Sequence, residues 1–184
     1  MKRILMTAVA LGGLFLSAAL IGSAQQAPDA NTLPDAIWKR GMAIAPVSLN
    51  LSGKDKKRVG AGSYLVNAQA ACVGCHTSPT YADGGDPTRG QPEQINVERY
   101  LAGGEHFGPF TSSNITPDAK GLPGGLTLDQ FIKVMRTGFD PDRHPQFGPF
   151  LQVMPWPHYS KMTDDDLQSI YEYLRAVPHA EPAP

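Results

Sequence analysis

The chain has 184 residues, of which 16 are Lys or Arg, 17 are Asp or Glu and only 2 are Cys. That length suits one domain, or one domain with an extension. The near-balanced charge excludes a basic nucleic-acid-binding domain, and two cysteines exclude a disulfide scaffold and a four-cysteine zinc site. The overall apolar share of 41% hides an uneven distribution, because residues 1–24 hold 16 of the 76 apolar residues and none of the 17 prolines. In the remaining 160 residues the share is 60/160, with 17 Pro and 16 Gly. This is below the usual share of roughly 45–50%. A core built from side chains alone is thin there, unless a large apolar cofactor joins it. Without Lys2 and Arg3 the formal charge moves from −1 to −3.

Lys2-Arg3 precedes an uncharged run from Ile4 to Gly22, and Gly22-Ser23-Ala24 follows with small residues. Positive start, apolar middle and small-residue end is the secretory pattern. The run reaches the length that spans a bilayer, so residues 1–24 read as a signal peptide or, if retained, a membrane anchor through residues 4–22. Either way the rest of the chain is expected outside the cytoplasm, periplasmic or otherwise extracytoplasmic. A free cysteine pair oxidises there unless its sulfurs are committed elsewhere.

Residues 25–57 are polar and Pro-punctuated and read as a linker or an arm wrapped on the domain. Ile37-Trp38 and Met42 to Ala45 are expected to form one short packed piece. Residues 58–178 are the expected domain, and 179–184 a tail. Residues 58–76 look helical. Residues 77–124 look loop-rich, with a short helix around 93–101. Thr127 and Gln130 form a capping-box pattern, followed by Leu128, Phe131, Ile132 and Met135 at helical spacing and by Gly138 as a stop. Five prolines make residues 139–162 irregular. Thr163 and Asp164–Asp166 open a last helix, since acidic residues suit a helix N-terminus. Its stripe is Leu167, Ile170, Tyr171 and Leu174, and Pro178 ends it. Phe-Gly-Pro-Phe occurs twice, at 107–110 and 147–150. The short identity reads as chance or shared turn chemistry rather than duplication.

The chemistry concentrates in Cys72-Val73-Gly74-Cys75-His76. Cys-x-x-Cys-His is the attachment signature of c-type haem. On a helical turn, cysteines at i and i+3 face one way and can form thioethers with two vinyl groups, and the next residue presents its imidazole to the iron. A thioredoxin-like dithiol needs a βαβ context, and a structural zinc site usually needs four ligands. One motif means one haem.

Methionine is a usual sixth ligand in cytochromes c. Met135 is explained by the packed stripe of its helix. Met162 is explained as a hydrophobic staple against Leu167, and Met42 lies in the arm. Met154 sits in Val153-Met154-Pro155-Trp156-Pro157, which prolines should keep from being helical. A stiff loop holds a thioether well, so Met154 is the favoured sixth ligand. His158 is the main competitor, followed by His106, His144 and His179.

At this point the residues resemble a family. Gly62 to Val66 leading into Cys72–His76 resembles a class I monohaem cytochrome c. More narrowly, the chain is similar to the haem modules in cytochrome c subunits of membrane-bound alcohol and gluconate dehydrogenases. The match continues in Ser113 to Asp118, Leu126 to Gly138, Met154-Pro155-Trp156, and Asp165 to Leu174, and covers roughly 58–178. The resemblance implies an all-α, loop-rich fold of a few short helices around one covalently bound haem, with first and last helices crossed. It also implies Met154 as sixth ligand, and electron transfer. Family modules often come three to a chain; this chain has one, and its arm has no counterpart. The resemblance places the Asn114–Asp118 turn at the haem edge, with Asn114 donating to a propionate. An ordinary Asx or proline turn explains Asn114 equally well. Trp156 and Tyr159 read either as crevice-lining or as simple core, and Tyr64 with Tyr171 or Leu174 as the contact between first and last helices.

The expected function is therefore an exported electron carrier, not an enzyme, exchanging single electrons with redox proteins such as a membrane-bound dehydrogenase or an oxidase. His76 is expected to donate its other ring N–H to a carbonyl or water. Two rivals remain: a haem enzyme or small-ligand binder with a labile sixth position, and a fixed subunit of a larger membrane complex.

Overall fold

The computed structural model describes residues 33–142 and 145–183. Residues 1–24, expected to be an export segment, the first part of the expected arm (25–32) and His144 lie outside the described residues. Among the described residues six α-helices carry the fold: α1 (Leu33–Ile44), α2 (Lys56–Tyr64), α3 (Cys72–His76), α4 (Leu128–Thr137), α5 (Trp156–Tyr159) and α6 (Asp164–Leu174). Among the described residues the only sheet is a hairpin of β1 (His106–Phe107) and β2 (Phe110–Thr111). The described part is thus helix-rich and compatible with an all-α class. No helix among the described residues is long and apolar enough to cross a membrane.

Local sequence accounts for the helix ends. Asp55 caps α2 by accepting from the amides of Lys57 and Arg58 at 2.8 and 3.3 Å. Thr127 and Gln130 form the expected reciprocal box on α4, and Gly138 ends it in the left-handed conformation at φ +67°. Thr163 and Asp166 form a second reciprocal box, on α6. This bears out the reading of Thr163 and the acidic run as a cap. Each satisfied cap contributes about 1 kcal/mol.

The helix expected over 58–76 is broken. After α2 the backbone widens into a π turn over Leu65–Gln69, closed by Ala70 N–H donating to the Leu65 carbonyl at 2.7 Å. Ala71 then adopts φ +52°, and α3 starts anew. A left-handed backbone on a residue with a Cβ costs roughly 1–2 kcal/mol. The break leaves the Ala70 carbonyl outside a regular helix, where the Tyr159 hydroxyl donates to it at 2.8 Å. The short helix expected at 93–101 shrinks to a single tight turn, Val97–Arg99. The stretch expected to be non-helical at 153–157 contains the start of α5. Pro157 sits in its first turn, where its missing N–H leaves no bond unmade.

The described part of the arm, residues 33–57, is part of the packed body. The Ser63 hydroxyl of α2 donates to the Gly41 carbonyl of α1 at 2.7 Å. Val47, Leu49 and Leu51 then pack on the core, and Asn50 N–H donates to the Ala176 carbonyl at 2.8 Å. The crossing of α2 with α6 is made at Gly62, where a Cβ would run into the Ser169 carbonyl and the Tyr173 Cβ. The crossing therefore depends on a close approach that only glycine permits. Below the crossing lie Val59, Val66, Leu101, Leu167, Ile170 and Tyr173, all fully buried or nearly so. Tyr100 and Tyr173 share a hydrogen bond of 2.7 Å, and the Tyr100 hydroxyl donates to Asn67 Oδ1 at 2.6 Å. Burial pushes both phenols above their ordinary range, so the cluster stays protonated. On the other side, Arg136 of α4 binds the Ser160 carbonyl at 2.5 Å and Asp164 at 2.6 Å, tying α4, α5 and α6 together.

Candidate functional site

An apolar cleft opens beside α6. It encloses about 1170 Å³ of space between atoms, its open mouth included. Its walls carry Cys72, Cys75 and His76 from α3, Phe131 and Met135 from α4, Ile170 and Leu174 from α6, and Met154 from the loop after α4. The two cysteines sit one helical turn apart and share this cleft, as their spacing predicts. They form no disulfide. Burial pushes the Cys72 thiol up to about 12. Burial, and then the Glu105 carboxylate, push Cys75 up as well. A redox dithiol needs the opposite shift, since the thiolate is the attacking form.

His76 Nδ1 lies 2.8 Å from the Ser113 carbonyl. A carbonyl only accepts, so Nδ1 carries the proton and the ring lone pair is on Nε2. This is the acceptor that sequence reading left open. The contact is built by Gly103, at φ +78°, where a Cβ would collide with the backbone of Ser113 and Asn114. Gly103 N–H also donates to the His76 carbonyl at 2.7 Å. Asn114 does not line the cleft. Its side chain accepts from Thr116 N–H at 2.8 Å and donates to the Ala180 carbonyl at 2.7 Å. That is the Asx-turn reading of the residue, with its amide committed to the tail rather than to the cleft.

Met154 and Met135 both line the cleft, whereas Met42 and Met162 do not. Met135 is buried on the packed face of α4, and Met154 is half-buried in the loop. His158 is exposed and off the cleft. His106 pairs with the Thr111 hydroxyl at 3.1 Å, and His179 with the Pro117 carbonyl at 2.8 Å. Trp156 is also absent from the lining. Its indole packs on Gly138 and its Nε1–H donates to the Leu151 carbonyl at 3.2 Å. It braces the root of the methionine loop from behind, and its neighbour Tyr159 is the aromatic residue that reaches the cleft.

Sequence reading missed three parts of the site. One is the Ser113 carbonyl, which has no side-chain signal. Another is the left-handed Ala71 beside Cys72. The third is a ring contact between Phe110 and Phe147, with centroids 4.6 Å apart, whose only sequence trace was the repeated Phe-Gly-Pro-Phe.

The residues present fit a c-type haem: two thiols and an imidazole on one short helix, a second-sphere acceptor for that imidazole, a thioether, and apolar walls. No model of a known protein family matches the chain. It is 35% identical over 117 residues to the fructose dehydrogenase cytochrome subunit of Gluconobacter japonicus, covering 61% of this chain and 20% of that protein. It is 27% identical over 142 residues to the cytochrome c subunit of the quinone alcohol dehydrogenase of Gluconobacter oxydans, covering 74% and 26%. To the gluconate 2-dehydrogenase cytochrome c subunit of Pantoea cypripedii it is 30% identical over 113 residues, covering 61% and 22%. The chain spans a fifth to a quarter of the length of these relatives. The site and these similarities agree in supporting a cytochrome c module of the kind found in alcohol, fructose and gluconate dehydrogenase cytochrome subunits.

Proposed function

We propose that the chain is a monohaem electron carrier of the class I cytochrome c fold, with haem c attached through Cys72 and Cys75 and ligated by His76 and Met154. The observation that carries this is the convergence of all four side chains on one apolar cleft, with His76 Nδ1 committed to a carbonyl. The haem supplies a one-electron iron couple. The chain's residues hold and tune it. Ser113 fixes the tautomer and plane of His76 and raises its basicity. The thioether of Met154 favours the reduced state and raises the potential. The apolar walls keep water from the site. Met154 is preferred to Met135 because Met135 is packed within a regular helix, while Met154 lies in a loop whose path Pro155 constrains.

The partner is a dehydrogenase that delivers electrons, in keeping with the names of the relatives, and residues 1–24 export the chain to the extracytoplasmic space. The ferric absorption spectrum of the haem-loaded protein tests the ligation. The long-wavelength charge-transfer band of methionine-ligated haem is expected in the wild type and in Met135→Leu, and absent in Met154→Ala. Absence of the band in the wild type, with immediate cyanide binding, would instead favour a haem enzyme or small-ligand binder.

A further inference from the structure

The two Phe-Gly-Pro-Phe segments meet in space. In the first, Gly108 (φ +64°) and Pro109 turn the β1–β2 hairpin and pair Phe107 with Phe110. The hairpin leads through Ser112 directly to Ser113, the acceptor of His76. In the second, Gly148 (φ +95°) turns the chain back so that Phe150 bridges Phe139 at the root of the methionine loop. The loop is closed there by Asp140 N–H to the Pro149 carbonyl and Leu151 N–H to the Gly138 carbonyl, both 2.8 Å. These bonds are internal to the loop and α4. The Phe110–Phe147 pair is different, because it joins the methionine loop to the hairpin on the histidine side. The rings are tilted by 58° with centroids 4.6 Å apart, a favourable aromatic geometry. Phe110 lines the cleft, while Phe147 covers it from outside and remains 41% exposed.

We propose that this ring pair is the latch of the sixth position. It holds the methionine loop to the hairpin and sets how often Met154 leaves the iron and lets an external ligand in. The inference rests on the His76/Met154 reading above. Such an exchange would move no electrons: the thioether lone pair would leave the iron and the lone pair of an incoming neutral base would take its place. Phe147 lies outside the cleft lining and acts as a positioning residue, with Phe110 of the lining as its anchor.

The test uses the ferric haem-loaded protein and imidazole. Stopped-flow absorbance at saturating imidazole reads the rate at which the loop opens. Losing one aromatic pair corresponds to a change of about 3- to 10-fold. Phe147→Ala should accelerate binding by that factor, Phe147→Tyr should restore the wild-type rate, and Phe147→Ala should add nothing in a Phe110→Ala background. Because Phe147 is on the surface, its loss leaves the fold intact, and the charge-transfer band before mixing confirms that Met154 is still bound. A rate unchanged within about twofold, or the same acceleration with Phe110 already removed, overturns the latch while the ligation stands. A wild-type protein without the band overturns both.

Discussion

The segment that carries His76 is fixed from several directions, whereas the segment that carries Met154 hangs mainly from its own root. On the histidine side, Ser113 takes Nδ1, Gly103 takes the main-chain carbonyl, and the Thr77 hydroxyl takes Leu101 N–H at 3.0 Å. Thr77, Leu101, Ala102 and Gly103 are all buried. On the methionine side, Gln152, Val153 and Pro155 are exposed and Met154 only half-buried. The loop is tied back by Trp156, by Tyr159 to Ala70, and by the Phe110–Phe147 rings. The two segments thus differ in rigidity before any difference in side-chain chemistry. One side is a fixed reference and the other is the side that yields.

The largest break in this comparison comes from the thiols. Cys72→Ser with Cys75→Ser should abolish covalent retention, so that acidified acetone extracts all the haem and none remains with the chain on a denaturing gel. Haem persisting on the chain would show that another attachment exists. A smaller effect strikes the floor shared by both sides. Gly62→Ala places a methyl against the Ser169 carbonyl and the Tyr173 Cβ. Overpacking of this kind costs about 1–3 kcal/mol, read as a lower denaturation midpoint. An unchanged midpoint would remove Gly62 from the crossing.

The smallest effect concerns the tail behind the histidine side. His179 Nδ1 faces the Pro117 carbonyl at 2.8 Å and Nε2 faces Glu181 at 2.7 Å. Both contacts need a proton on the ring. The Glu181 hydrogen bond, and then the Pro117 carbonyl, accordingly raise its pKa above the ordinary 6.5. A raised folded-state pKa means the tail contact is fully present below the unfolded value and is lost as pH rises through the folded value. Amide exchange at Ala180 should therefore speed up across that window beyond the intrinsic pH dependence, and His179→Gln should flatten the extra change. Because the ring is half exposed, only a local loosening is expected. A pH-independent protection factor in the wild type would show that the charge on His179 does not hold the tail.

How much of this was legible follows from where each contact is encoded. The helices α4 and α6 were readable because side-chain period and capping residues are local. That Cys72, Cys75 and His76 share one cleft was readable for the same reason, since their spacing places them on one helical turn. The break at Ala71 was not, because alanine favours helix. The left-handed turn there is sustained by Tyr159, whose hydroxyl arrives from 89 residues away. Trp156 looked like a wall of the cleft because its loop is, yet its ring turns back onto Gly138. Asn114 was evenly divided between two readings. The Thr116 and Ala180 contacts account for its side chain, and the second of them involves a tail that no local pattern could connect.

The acceptor for His76 is main chain, and that changes how the site can drift. Any residue at position 113 keeps a carbonyl, so replacing the Ser113 side chain leaves the acceptor in place. What fixes the contact is the path of the turn, set by Gly103, by the Asn114 side chain and by the tail at Ala180. Inherited change in the redox character of such a module would therefore enter through glycine and tail positions that never touch the cofactor. Alignments that weigh only the lining residues would overlook it.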